Sequence, residues 1–69
     1  MQSKLIIIRK ERKISQKILA DLLNISVKQY GYKENGKSVF NGDEMFAIAN
    51  YLQLPLEDIF LPRIHQNGE

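Results

Sequence analysis

The stretch ISQKILADLLNISVKQYGYKENGK, residues 14–37, decides how this chain folds. It contains two short helical patterns, residues 16–23 and 27–34, which are separated by only a few residues. A connection of this length makes two helices cross at a steep angle. The second helix is then free to present its polar side to a partner, and we expect the other parts of the chain to support this pair.

Small residues mark the ends of both helices. Ser15 is placed to cap the first helix and Ser26 the second, because a hydroxyl can accept from the free backbone N–H groups of a first turn. Asn24 suits the left-handed turn that would end the first helix. Gly36, after Asn35, suits the same kind of turn at the end of the second helix.

The second of these helices has little apolar surface. Tyr30 is its clear inward anchor, and Gly31 lies inside it at a cost of roughly 1 kcal/mol relative to alanine. A helix with so few buried residues is not selected for its own stability. Its polar side is therefore the expected reason for its presence.

Three further helices are predicted around this pair. The first covers residues 4–12, although its run of isoleucines would also suit a short strand. The fourth begins with a capping box between Asn41 and Glu44 and has apolar residues at i, i+3, i+4 and i+7. A short fifth helix has Pro55 in its first turn, and the polar tail, about residues 63–69, is expected to be loose.

Composition restricts the classes of function. The chain has 69 residues and no cysteine, and its one histidine, His65, gives no metal site by itself. A Gly-rich phosphate loop and a nucleophile–base pair are both missing, so we expect no enzymatic activity and no cofactor or small-molecule ligand. A chain of this length is expected to form one domain, over residues 1–69. Because no apolar run approaches the roughly 20 residues that span a bilayer, we expect the protein to be soluble and cytoplasmic, with no membrane partner.

Charge is divided unevenly along the chain. Residues 1–37 carry nine lysines and arginines against three acidic residues, whereas residues 38–69 carry one arginine against five acidic residues. The first part is thus net +6 and the second net −4, as expected if one face meets a polyanion. An ordinary solvated surface is the alternative, and it would be preferred if the basic part held no recognisable reading element.

An ordered set of motifs runs through the chain. It comprises Ser15-Gln16, Leu19-Ala20, Leu23, Ile25-Ser26, Tyr30, Glu34-Asn35-Gly36-Lys37, Ile48-Ala49, Leu52 and Leu56-Glu57-Asp58-Ile59-Phe60. This set, within residues 5–60, resembles the lambda-repressor/Cro-type helix-turn-helix family. The resemblance implies an all-α, compact five-helix domain, with the helix-turn-helix at about residues 16–35 and the third helix in the major groove of double-stranded DNA.

The resemblance also implies roles for individual residues. Base contacts would be made from the third helix by Val27, Lys28, Gln29 and Tyr32, although Tyr32 could bond a phosphate instead. Phosphate contacts would be made by Gln16, Lys17, Lys33, Asn35 and Lys37. Arg9 is expected to pair with Glu34 and so to brace the first helix against the third.

Three residues depart from the family pattern. Lys33 replaces an apolar residue, so either its stem packs along the edge of the core or the third helix ends early. Gly31 is expected to kink or loosen that helix. Gly42 replaces an apolar residue at the start of the fourth helix, which leaves Val39 or Phe40 to fill the space.

In function, the resemblance implies a transcription regulator, which we expect to be a repressor that binds a pseudo-palindromic operator as a homodimer. The candidate dimer interface is Phe60, Leu61 and Ile64, although Phe60 could instead close the core of the monomer. Two other classes stay open. One is a protein-interaction module such as an antitoxin or antirepressor, and the other is a nonspecific nucleic-acid binder with a steep salt dependence.

Overall fold

The computed structural model describes residues 2–60, and these residues form five α-helices and no strand. The helices are α1 (Ser3–Glu11), α2 (Gln16–Leu23), α3 (Val27–Glu34), α4 (Gly42–Leu52) and α5 (Leu56–Ile59). The all-α, five-helix fold class predicted from the sequence is confirmed. Within the described range, no helix has the length and apolar character needed to cross a membrane.

The ends of α2 and α3 lie where the sequence predicts them. The hydroxyl of Ser15 accepts from a backbone N–H in the first turn of α2, and the hydroxyl of Ser26 does the same for α3. Asn24 ends α2 in the left-handed conformation, with a φ of 63°, and Gly36 follows α3 with a φ of 90°. Helix α3 runs through Gly31 without a break, so the glycine does not end it.

Two boundaries differ from the prediction. Helix α1 begins and ends one residue earlier, because the carbonyl of Gln2 already accepts the N–H of Ile6 at 3.0 Å. Pro55 is the N-cap of α5 rather than a residue of its first turn, and its ψ of 145° is extended. The capping box at the start of α4, between Asn41 and Glu44, is present as predicted.

The core contains ten buried hydrophobic residues. They are Leu5, Leu19, Ala20, Tyr30, Phe40, Ile48, Ala49, Leu52, Ile59 and Phe60. Of the two candidates to compensate for Gly42, Phe40 is 6% exposed whereas Val39 is 64% exposed. The ring of Phe40 packs against the rings of Tyr30 and Phe60, with centroid distances of 5.8 and 5.5 Å. Phe40 is therefore the candidate that lies in the core, although it does not fill space next to Gly42, where an added Cβ would meet no heavy atom within 4 Å.

Phe60 belongs to the core of the monomer in this structure. Its side chain is 5% exposed and meets Phe40 in an edge-on arrangement. Burial of this kind is the alternative role that the sequence left open, and it removes Phe60 from the surface on which a second subunit could pack. The other two candidates for the dimer interface, Leu61 and Ile64, lie outside the described residues, as does the tail.

Candidate functional site

A buried ionic network around Glu34 holds α3 in the domain. Glu34 is 1% exposed, and its carboxylate accepts four hydrogen bonds. Arg9 donates two of them, from Nε to Oε2 at 2.8 Å and from Nη2 to Oε1 at 3.1 Å. The hydroxyl of Tyr30 donates to Oε2 at 2.8 Å, and Nε2 of Gln16 donates to Oε1 at 2.9 Å. The Arg9–Glu34 pair expected from the sequence is thus present, with two further donors around it.

The charge state of this network follows from its hydrogen bonds. Burial alone would raise the pKa of Glu34, but the hydrogen bonds from Arg9, Gln16 and Tyr30 outweigh burial and hold that pKa below its usual value. The hydrogen bond to Glu34 raises the pKa of Arg9, and burial raises the pKa of Tyr30. Near neutral pH the network therefore contains a carboxylate, a guanidinium and a neutral phenol.

Hydrogen bonds to backbone carbonyls connect the neighbouring segments to Glu34 and Arg9. The N–H of Gln2 donates to the carbonyl of Glu34 at 3.0 Å, which joins the start of α1 to the end of α3. Nη1 of Arg9 donates to the carbonyl of Ile14 at 3.1 Å and so fixes the segment between α1 and α2. Since the buried side chains of α3 are those of Tyr30 and Glu34, its first three residues are held in place without being buried.

The exposed side of α3 carries the residues that the sequence predicts for base contacts. Val27 is 42% exposed, Tyr32 is 39% exposed, and Lys28 and Gln29 are exposed as well. Lys28 and Tyr32 lie one turn apart, and the ammonium of Lys28 is 5.9 Å from the centroid of the Tyr32 ring. The structure therefore brings these two residues together.

Gln29 differs from the other three because part of its amide is already engaged. Its Oε1 accepts the backbone N–H of Ser26 at 3.2 Å, which completes the capping box of α3. A bidentate contact with adenine uses both the oxygen and the nitrogen of an amide. Such a contact would have to break the hydrogen bond to Ser26, so the structure gives Gln29 a capping role in the free protein.

Four of the residues predicted for phosphate contacts lie at the two ends of the α2–α3 pair. Gln16 is partly buried at the start of α2, and one proton of its amide is used by Glu34. Lys17, next to it, has a side chain 71% exposed and pairs with Asp21 at 3.2 Å. Asn35 and Lys37 are exposed in the turn that follows α3.

Lys33, the fifth residue predicted for a phosphate contact, has its ammonium engaged within the protein. Its side chain is only 18% exposed, and its ammonium donates to the carbonyl of Val39 and to Oε1 of Glu44, each at 3.0 Å. The ammonium lies 6.0 Å from the centroid of the Phe40 ring, so the stem packs along the edge of the core and α3 does not end early. Lys33 therefore connects α3 to the segment that leads into α4, and its phosphate contact stays a prediction.

Two contacts in the network are absent from the predictions made from the sequence. Neither the Tyr30 hydroxyl nor the Gln16 amide was expected to reach Glu34. The first had a usable signal, because Tyr30 and Glu34 are four residues apart and side chains at this spacing meet on one helical face. The second had none, since it depends on how closely the start of α2 approaches α3.

The exposed surface of α3 and the turn after it offers a defined chemistry. It presents ammonium and amide donors from Lys28, Asn35 and Lys37, together with the apolar edge of Val27. Between residues 2 and 60, no three His, Cys, Asp or Glu side chains are grouped so that they could hold a metal ion. The arrangement is suited to binding an extended anionic partner.

Comparison with known families gives one match. A family model described as helix-turn-helix matches residues 5–59, which is most of the chain. The matched range includes all of α2 and α3 and the four residues of the network around Glu34. No curated protein matches the chain.

Proposed function

Because the chain belongs to the Cro/C1-type helix-turn-helix family of DNA-binding regulators, we propose that it is a repressor that reads a pseudo-palindromic operator as a homodimer. The observation that carries this proposal is that two buried side chains anchor α3 while the first three residues of the helix are exposed. Tyr30 and Glu34 fix the helix, while Val27 and Lys28 in its first turn are exposed. A reading helix needs this combination, since its base-contacting side chains must be accessible and its axis must be fixed.

Specific readout is assigned to the first turn of α3 in the major groove. The ammonium of Lys28 can donate to O6 or N7 of guanine, and the methyl groups of Val27 can contact the methyl group of thymine. Each good base contact discriminates by roughly 1–3 kcal/mol. Lys28 is therefore the residue whose loss should alter sequence preference most.

Phosphate contacts are assigned to both sides of the same groove. The second amide proton of Gln16 and the ammonium of Lys17 face one strand at the start of α2, where the helix dipole also favours an anion. Asn35 and Lys37 face the other strand. Each phosphate that a lysine neutralises steepens the dependence of log K on log salt by roughly 0.9, so this part of the binding is sensitive to salt and indifferent to sequence.

The homodimer is proposed because one copy of α3 can occupy only one half-site. Two reading helices related by a two-fold axis and separated by about 34 Å contact successive turns of the major groove on one face of the duplex. Doubling the contacts brings binding into the range expected of a specific regulator at cellular salt. Leu61 and Ile64 remain the proposed interface residues on the basis of the sequence.

The direct test is selection of bound duplexes from a random DNA library at near-physiological salt. We expect an inverted repeat, which Lys28→Ala should weaken or alter. Lys10→Ala is the charge-matched control, because Lys10 is exposed on α1 and has no assigned DNA contact. It should return the same repeat as the unmodified protein.

Three results would contradict this function. Binding without a consensus that disappears as salt rises would indicate a nonspecific binder. Absence of DNA binding would favour the protein-interaction class, such as an antitoxin or antirepressor. Sedimentation equilibrium tests the dimer separately. A mass of 8.0 kDa for the free protein, together with one protomer per duplex on the selected DNA, would exclude it.

A further inference from the structure

Tyr32 lies close to two lysines that come from different parts of the chain. Lys28 is one turn earlier on α3, with its ammonium 5.9 Å from the centroid of the Tyr32 ring. Lys37 lies in the turn after α3, and its ammonium is 5.5 Å from the same centroid. Both distances are within the range of about 6 Å in which an aromatic ring attracts a cation.

The backbone of Tyr32 also holds the turn that carries Lys37. The carbonyl of Tyr32 accepts the N–H of Lys37 at 2.8 Å and the N–H of Ser38 at 3.2 Å. The chain therefore folds back over the end of α3 and brings Lys37 to the ring. The ring and the backbone carbonyl of Tyr32 thus both hold Lys37 in position.

The kind of partner matters for what these lysines can do. Lys17 pairs with the carboxylate of Asp21, and Lys33 with that of Glu44, so each of these charges is partly neutralised within the protein. An aromatic ring attracts an ammonium through its quadrupole and accepts none of its protons in a conventional hydrogen bond. Lys28 and Lys37 can therefore be held near the ring while their three donors stay available.

We propose that Tyr32 is a positioning residue of the DNA interface, whose ring holds the ammonium groups of Lys28 and Lys37 near the groove. This inference rests on the proposed function and gives the residue a different role from a direct contact through its hydroxyl. A lysine side chain loses many rotamers when it binds. Contacts made before DNA arrives, and kept in the complex, reduce that loss.

The test compares two substitutions at this exposed position. Tyr32→Phe removes the hydroxyl and keeps the ring, whereas Tyr32→Leu removes the ring and keeps an apolar, helix-compatible side chain. We expect the affinity of Tyr32→Phe for the selected operator to lie within about twofold of the unmodified protein. That of Tyr32→Leu should be about 5- to 10-fold weaker, because two lysine side chains that the ring no longer holds lose more rotamers on binding. The salt dependence of binding should be the same in all three proteins, because every lysine is retained.

A second measurement examines the free protein and needs no DNA. The ε-methylene protons of Lys28 and Lys37 should show upfield ring-current shifts by NMR in the unmodified protein and in Tyr32→Phe. These shifts should disappear in Tyr32→Leu, while the signals of Lys10, the control, stay unchanged. Their presence would support the lysine–ring contacts whether or not DNA binds.

Several outcomes would overturn the proposal. Absence of ring-current shifts in the unmodified protein would show that the ring does not hold the lysines. Equal weakening by Tyr32→Phe and Tyr32→Leu would assign the role to the hydroxyl. If the unmodified protein binds no DNA, the proposed function fails and the positioning role fails with it, although the shifts would still report correct lysine–ring contacts.

Discussion

Replacement of Arg9 by methionine is the perturbation that should destabilise this fold most. Arg9 is 8% exposed and donates two hydrogen bonds to Glu34 and one to the carbonyl of Ile14. Methionine keeps an unbranched apolar stem and removes the guanidinium. Glu34 then retains the hydrogen bonds from Gln16 and Tyr30 but stays buried without the guanidinium that balances its charge.

The expected cost is large compared with the stability of so small a domain. Removing one partner of a buried ion pair typically costs about 3–5 kcal/mol. At about 0.05–0.15 kcal/mol per residue, a chain of this length has a total free energy of unfolding of about 3–10 kcal/mol. Urea unfolding followed by circular dichroism should therefore show Arg9→Met losing most of its stability at pH 7.

The pH dependence provides the sharper criterion. In the unmodified protein the pKa of Glu34 is lowered, so its stabilising contribution is present above the usual pKa of a glutamate and is lost as the pH falls through the lowered value. In Arg9→Met, burial dominates and raises the pKa of Glu34, so protonation removes the uncompensated charge. The difference in stability between the two proteins should consequently shrink between pH 7 and pH 4.

The matched control is Lys17→Met, which breaks the exposed pair with Asp21, whose side chains are 71% and 65% exposed. Such a pair contributes about 0.5 kcal/mol or less, so this variant should be nearly as stable as the unmodified protein. Replacing both partners, as Arg9→Met with Glu34→Leu, should recover part of the loss, since no buried charge remains. A cost of less than about 1 kcal/mol for Arg9→Met, the value typical of a surface pair, would refute this reasoning, as would a difference that grows on acidification.

Three further substitutions test individual contacts by the same unfolding measurement. Gly31→Ala should stabilise the domain by about 0.5–1 kcal/mol, because alanine loses less backbone freedom than glycine in a helix. An added Cβ would lie 3.9 Å from Oε1 of Gln16 and would meet no closer atom outside its own helix. A net loss of stability would show that the helix needs glycine there. Lys33→Met should cost about 1–2 kcal/mol of stability, less than Arg9→Met. The carboxylate of Glu44, which loses its partner, still accepts the N–H of Asn41 at the N-terminal end of α4, where the helix dipole favours a negative charge. A cost equal to that of Arg9→Met would contradict this. Asn41→Ala should cost about 1 kcal/mol by removing the N-cap of α4, with Asn41→Ser as the control that retains a cap.

Local signals in the sequence were sufficient to place α2 and α3. Ser15, Asn24 and Ser26 act on backbone groups within a few residues, so their effect does not depend on the remainder of the fold. The Arg9–Glu34 pair joins residues far apart in the chain, and it was expected because of the family resemblance. Sequence periodicity alone could not have supplied it.

The sequence was less informative where the outcome depends on how helices pack. The role of Lys33 is decided by Glu44 and by the ring of Phe40, which come from the segment after α3 and are brought close only in the folded chain. The choice between Val39 and Phe40 is likewise a question of which side chain reaches the rings of the core. Helical spacing gives no information on either point.

The two buried anchors of α3 also have an evolutionary consequence. Tyr30 and Glu34, one turn apart, are its buried residues, whereas Val27 and Lys28 at its start are exposed and lie outside the buried core. Under the proposed function, substitutions in that first turn would change the DNA sequence that is preferred without a matching loss of stability. Descendants of this chain could therefore acquire new operators, and drop old ones, at a handful of positions while the scaffold around them stays the same.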